Sequence, residues 1–302
     1  MRIVDAHHHL WDLEQNRYPW LMERVDHPAG DYSAIMRSYR IEDFFRDASG
    51  FELEQSVHVQ AEFDHDDDPV KETAWLQSVA DSPKSRGMPG GIVGYADLSG
   101  PDAEETLARH ASHENARGIR QMLNYRDGEP LLNFAPRGDL MQDPQWRDNY
   151  RRLASHGLSF DLQVWPWQLE DAARLAKDIP ETQVVLNHTG MPHYRDSEER
   201  KTWRAGMRAL AEAPHASVKI SGLAMFGTGW TPEDWKPYVL GSIEAFGVDR
   251  CMFASNFPVD SLFASYDAIW NAFDQLTSGF SEAERDALFR ANALRIYRLP
   301  VG

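Results

Sequence analysis

Short apolar runs alternate with amphipathic stretches along the chain. Eight runs stand out, at residues 2–6, 55–61, 91–96, 118–123, 158–164, 183–188, 217–221 and 250–254, most of them rich in Val, Ile, Leu or Phe. Apolar runs of this kind predict strands buried on both faces. The intervening segments predict helices. One opens at Asp68-Pro69 and runs through Glu72, Trp75, Leu76 and Val79, with proline in the first turn. Others span 101–114, 143–156, 167–177 and 197–213. Thr231-Pro232-Glu233-Asp234 reads as a cap with an acidic first turn, and Ser281-Glu282-Ala283-Glu284 as a capping box opening a last helix that ends near Tyr297.

Eight strand–helix repeats predict a parallel α/β fold, and the count of eight predicts a single-domain (β/α)8 TIM barrel over residues 1–302. A length of 302 residues suits that fold, which takes about 250 residues plus insertions. The longest irregular stretch, 11–33, is expected to cover the barrel mouth as a loop or lid. The acidic run Asp64-His65-Asp66-Asp67-Asp68 reads as a solvated loop.

Charge narrows the partners. The formal net charge is −16, from 47 acidic and 31 basic residues. A field of that sign opposes nucleic acid and anionic lipid surfaces. The expected partner is a small molecule, and an anionic one needs local arginines. The single cysteine, Cys251, cannot form an internal disulfide. The amino-terminal sequence has no apolar signal core, and no run approaches the roughly 18 residues of a membrane span. The expectation is a soluble cytoplasmic protein, with a homodimer an ordinary assembly for it.

Barrel enzymes carry their chemistry at the carboxyl ends of the strands. Strand one ends in Asp5-Ala6-His7-His8-His9. Strict alternation puts Asp5, His7 and His9 on one face and His8 on the other. Imidazoles two residues apart can converge on one metal or one substrate atom. The competing reading is a chance cluster. Strand two carries His58 and Gln60 on one face. If that face is inward both line the barrel, though His58, the deeper, also reads as a satisfied core histidine. Arg120 on strand four is costly inside a barrel unless paired. It either binds a protein carboxylate, Asp161 being the candidate, or awaits an anionic substrate. Arg126 and Arg195 are weaker candidates for the same task. Trp165, Trp167, His193 and Tyr194 follow strands five and six, where aromatics stack on a ring substrate or simply pack the rim.

The Asp5-x-His7-x-His9 motif resembles that of the amidohydrolase superfamily. The resemblance extends over nearly the whole chain to its family 2, the branch of sugar-acid lactonases and pyrone-dicarboxylate lactonase. Val59-Gln60-Ala61, Gly118-Ile119-Arg120, Phe160-Asp161-Leu162, the run from Val185 to Pro192, Val218-Lys219-Ile220-Ser221-Gly222-Leu223 and the run from Met252 to Val259 all fall where that branch has similar strings. The resemblance implies His188, in Asn187-His188, as the third active-site histidine, and Arg120 as a ligand for substrate. It implies one divalent metal, zinc or manganese, on His7, His9 and His188, or a metal-free site, since the branch contains both. Lys219 stands where many relatives have a further histidine, which argues against a binuclear site.

Strand eight departs from the branch. Gly-Ser-Asp-Trp-Pro is usual there; this chain has Ala254-Ser255-Asn256-Phe257-Pro258. Asn256 is a neutral amide and cannot be a base. Asp260 is the nearest substitute, unless it merely caps a helix starting near Ser261. His9 or His188 could serve instead. The expected activity is hydrolysis of a lactone or cyclic ester of a small, carboxylate-bearing organic acid. The alternatives are a decarboxylase or hydratase on the same barrel, and a binding protein that has lost catalysis.

Overall fold

The computed structural model describes residues 1–225 and 229–300. Eight parallel strands follow one another in chain order: β1 Arg2–His8, β2 Glu52–Val59, β3 Gly91–Gly94, β4 Ala116–Ile119, β5 Ser159–Leu162, β6 Val184–Leu186, β7 Ala216–Ile220 and β8 Cys251–Phe253. Residues just beyond β8 bring the sheet round to β1. Asn256 N–H donates to the His7 carbonyl (2.8 Å), and His9 N–H donates to the Phe257 carbonyl (2.7 Å). The result is the (β/α)8 barrel that the repeat count predicts, although β2 starts three residues earlier than its apolar run and β1 extends two residues further.

The helices are α1 Pro19–Met22, α2 Ile41–Asp47, α3 Val70–Ala80, α4 Ala103–Ala111, α5 Pro144–Arg152, α6 Leu169–Asp178, α7 Ser197–Ala211, α8 Pro232–Phe246, α9 Tyr266–Leu276, α10 Glu282–Asp286 and α11 Asn292–Ile296. The cap read at Thr231 starts α8, with Thr231 N–H donating to the Asp234 carboxylate (2.7 Å), and the capping box read at Ser281 is formed. The helix expected near Ser261 starts later. Residues Val259–Leu262 make one 3-10 turn, and α9 begins at Tyr266, where the Ser265 hydroxyl accepts from Ala268 N–H (3.2 Å). That bond is worth about 1 kcal/mol at a helix start.

Two apolar layers result. Outward-facing Ile92, Ile119, Phe160 and Val218 pack with Trp146, Trp203, Trp235 and Trp270 of the helices. Inward-facing Val4, Val57, Val93, Val185 and Met252 form the barrel interior with Tyr297 and Leu299 of the carboxyl-terminal segment. Leu299 packs at Gly91, the first residue of β3, so this segment closes the amino-terminal end of the barrel. The opposite end stays open for the site.

One patterning expectation fails. The β1–β2 pairing shifts register between Asp5 and His8. A shift breaks the two-residue alternation. His7 and His9 face the open end of the interior, but the Asp5 carboxylate accepts from Tyr266 of α9 (2.9 Å) and from Ser255 N–H (3.0 Å). It therefore fastens the strand instead of joining the histidines. His8 stacks on Phe44 of α2 at 4.0 Å, on the outer side as expected.

The 11–33 stretch lies over the mouth. The Trp11 indole N–H holds the Arg37 carbonyl (2.7 Å) and that of Trp20 the Ala61 carbonyl (2.8 Å). The acidic run is occupied by ion pairs: Asp64 with Arg17, Asp67 with Lys71 and Asp68 with Arg109. Among the described residues no helix is long and apolar enough to cross a membrane.

Candidate active site

A cavity of about 820 Å³ opens at the carboxyl end of the strands, lined by His9, Arg120, His188 and Asn256 and roofed by Trp11 and Trp20 of the mouth loop. Three histidines meet at its base. The ring centroid of His7 lies 5.0 Å from that of His9 and 4.4 Å from that of His188. Burial holds all three well below the usual imidazole range, with nearby cations adding to the effect, so they stand neutral. Both ring nitrogens of His7 are buried with no hydrogen-bond partner among the described residues.

His9 has a defined tautomer. Its Nδ1 faces the Val59 carbonyl at 2.7 Å and must carry a proton there, which leaves the lone pair of the neutral ring at Nε2. The Asn256 amide lies 3.2 Å from that Nε2 and, on its other side, 2.8 Å from the Asp260 carboxyl. Two proton arrangements satisfy this chain. With His9 neutral, the amide turns its NH2 to His9 and its oxygen to a protonated Asp260. With His9 cationic, the amide turns round and Asp260 is ionised. Burial favours the first, since it lowers His9 and pushes the Asp260 carboxyl up to about 7, against the bond from Asn256.

Arg120 is 4% exposed. It donates to the Gln163 side chain (2.9 Å) and the Gln60 carbonyl (2.5 Å), while its Nε is buried without a partner. No ion pair to it forms among the described residues. Asp161, the carboxylate considered for it, instead takes Lys219 at 2.6 Å and the Tyr297 hydroxyl at 2.8 Å.

Four non-glycine residues of the cavity wall, Glu62, His188, Met191 and Asn256, have left-handed backbones, with φ of 57°, 52°, 54° and 57°. Non-glycine residues there carry strain of about 1–3 kcal/mol each, and such strain collects at functional sites.

A family model described as amidohydrolase matches residues 4–299. The chain belongs to the amidohydrolase family. An uncharacterized protein, y4mH of Sinorhizobium fredii, is 50% identical over 98% of both chains. An L-fucono-1,5-lactonase of Burkholderia multivorans is 29% identical over 98% of this chain and 96% of its own. A crystal structure of a Burkholderia multivorans amidohydrolase with bound zinc superposes with a TM-score of 0.81 at 26% identity, covering 99% of this chain and all of that one.

In this amidohydrolase the donor chemistry suits a divalent ion in type. Neutral imidazoles are the form that binds metal, and both nitrogens of His7 are buried without a partner among the described residues. No group of three or more His, Cys, Asp or Glu among the described residues stands close enough to form a complete ligand set, and Asn256 brings no charge to balance a cation.

The remaining sequence candidates lie behind the cavity wall. His58 accepts the Leu10 N–H at Nδ1 (3.0 Å) and points toward Glu72, so it fixes the end of β1. Gln60 binds Glu62 with its side chain (2.6 Å) and offers only its carbonyl to Arg120. Trp165 donates to the Leu132 carbonyl (2.8 Å) and packs on His193, with ring centroids 5.2 Å apart. Arg126 stacks on Trp167 at the rim, and Arg195 holds the carbonyls of Pro192 and Leu223. Sequence reading did not single out Gln163, Phe134, Met191 or Met225, which line the cavity. Gln163 had a signal, standing two residues after Asp161 where β5 reaches the mouth.

Proposed function

We propose that this amidohydrolase hydrolyses a lactone or cyclic ester of a small organic acid that bears a carboxylate. The observation that carries the reading is a buried Arg120, without a carboxylate partner among the described residues, opening into the same cavity as His9 and His188. The likeness to an L-fucono-1,5-lactonase supports the ester class.

Arg120 binds the substrate carboxylate through charge-assisted hydrogen bonds. Its contacts to Gln60 and Gln163 fix the plane of the guanidinium, which orients the ring. The lactone carbonyl sits over His7, His9 and His188. Water attacks the carbonyl carbon in the enzyme form whose Asp260 is ionised. The Asn256 NH2 then turns to Asp260 and leaves Nε2 of neutral His9 without a donor, so it takes the water proton and reaches the second arrangement. The ring C–O bond then breaks and the proton passes to the departing oxygen, giving the open hydroxy acid. Asn256 holds His9 in place, and Asp260 behind it stabilises the imidazolium. Trp11 and Trp20 keep bulk water away from the tetrahedral intermediate. A divalent ion held by His7, His9 and His188, zinc or manganese, would supply carbonyl polarisation and water activation in place of the free imidazole.

Asn256 also weighs against a decarboxylase or hydratase, whose sites on this barrel lean on a strand-eight aspartate. The test is a panel of lactones and cyclic esters assayed by proton release, before and after chelation, with metal content measured in parallel. Ring opening with a carboxylate-bearing lactone is expected. Carbon dioxide release, or no turnover on any cyclic ester, would overturn the reading.

A further inference from the structure

The cavity has two unlike sides. One, formed at the ends of β2, β4 and β5, presents Arg120, held by Gln163 and the Gln60 carbonyl and without a carboxylate partner among the described residues. The other comes from the segments after β6, β7 and β8 and presents Met191, Met225 and Val259, joined by Phe134 from the loop after β4. Met191 and Met225 belong to a compact apolar cluster with Leu132 and Trp165, against which Phe134 and Val259 pack.

Arg24, Asp26, His27 and Asp31 line the cavity from the mouth loop and Glu62 from the end of β2, not from the segments that carry Met191, Met225 and Val259. Other polar groups of the lining are already engaged. Trp20 donates its indole N–H to Ala61, and Gln163 donates to the Asn124 side chain (3.2 Å). The Asn133 oxygen accepts from Arg126 N–H (2.6 Å). A polyhydroxylated ring would lay hydroxyls against thioethers and a phenyl ring. Each would lose water without gaining a partner. An apolar group would instead gain dispersion contacts from methionines that adjust to its shape. The cavity of about 820 Å³ leaves room for such a group beside a bare lactone ring.

We propose that the substrate is a lactone with a carboxylate that pairs with Arg120 and, across the ring, an alkyl or aryl substituent seated on Met191, Met225 and Phe134. The proposal rests on the lactone reading and sets this chain apart from relatives that act on sugar lactones.

The experiment compares kcat/KM for γ-butyrolactone carboxylates with and without a phenyl or pentyl group against L-fucono-1,5-lactone. The substituted compounds are expected to exceed both others by about tenfold or more. Calorimetry on the ring-opened products separates binding from turnover, with the phenyl hydroxy acid expected to bind tighter than L-fuconate. Met225→Gln is expected to narrow both preferences by about tenfold. Equal or better use of L-fucono-1,5-lactone, or no gain from the substituent, overturns the proposal. Absence of turnover with retained preference for the phenyl acid overturns the lactone reading and supports the apolar subsite. Absence of both turnover and preference overturns the two together.

Discussion

Lys219 and Asp161 form an ion pair of 2.6 Å inside the barrel, with neither side chain exposed to solvent. Tyr297 from the carboxyl-terminal segment donates to the same carboxylate and places its ring under the ammonium at 4.9 Å. Three distant parts of the chain thus close on one carboxyl group. This pairing leaves Arg120 without a carboxylate partner among the described residues.

Removing one partner strands the other as an unpaired buried charge. Lys219→Met and Asp161→Asn are each expected to cost about 3–5 kcal/mol in urea unfolding. The double variant is expected to lose less than the sum, because neither charge remains. Additive losses would show that the pair is not coupled.

Asp260 reaches His9 only through Asn256. Asp260→Asn keeps the volume and hydrogen bonding but cannot ionise, so kcat is expected to fall by about a hundredfold with the fold intact by circular dichroism. Asn256→Asp places a carboxylate beside His9 and is expected to raise zinc affinity roughly tenfold or more in an equilibrium dialysis titration. Unchanged kcat in Asp260→Asn would remove that residue from the reaction.

Arg120→Gln is expected to raise KM for a carboxylate-bearing lactone by about 10–100-fold, the loss of one charge-assisted contact. Arg120→Lys is expected to behave similarly, since an ammonium cannot span Gln60 and Gln163 and still meet the ligand. For a lactone without a carboxylate, neither change should move KM. Steady-state kinetics on the matched pair decides it.

Glu72 gives the fold a pH dependence. Burial pushes its carboxyl from the usual 4.5 up to about 7, against hydrogen bonds from Ala61 N–H and the Tyr18 hydroxyl. The fold therefore favours the protonated form. That contribution is full below about pH 4.5 and is lost as pH rises through 7. Glu72→Gln can accept the same two bonds and does not titrate. Chemical denaturation should find its stability relative to wild type rising by on the order of 3 kcal/mol between pH 4.5 and 7.5. A flat difference would contradict the burial argument.

All eight strands were legible because residues such as Val57, Val185 and Phe253 are apolar on both faces of a covered sheet. The α9 helix was legible but not its start, which was expected near Ser261, although Ser265 is a serine cap followed by Ile269, Trp270 and Phe273 at helical spacing. The histidine cluster was legible from the motif, and the way β8 returns to β1 brings Asn256 beside it. The inward set was not wholly legible. Alternation groups Asp5 with His7, and only the register shift against β2 separates them. Nor does spacing alone decide which carboxylate Lys219 takes from Arg120.

The left-handed backbones at Glu62, His188 and Asn256 give the rim of the cavity little local preference for its own shape. Each is held in place by closure of the sheet and by neighbours far away in sequence. The rim should therefore relax before the barrel does, so that on gentle warming activity disappears while the helices are still intact.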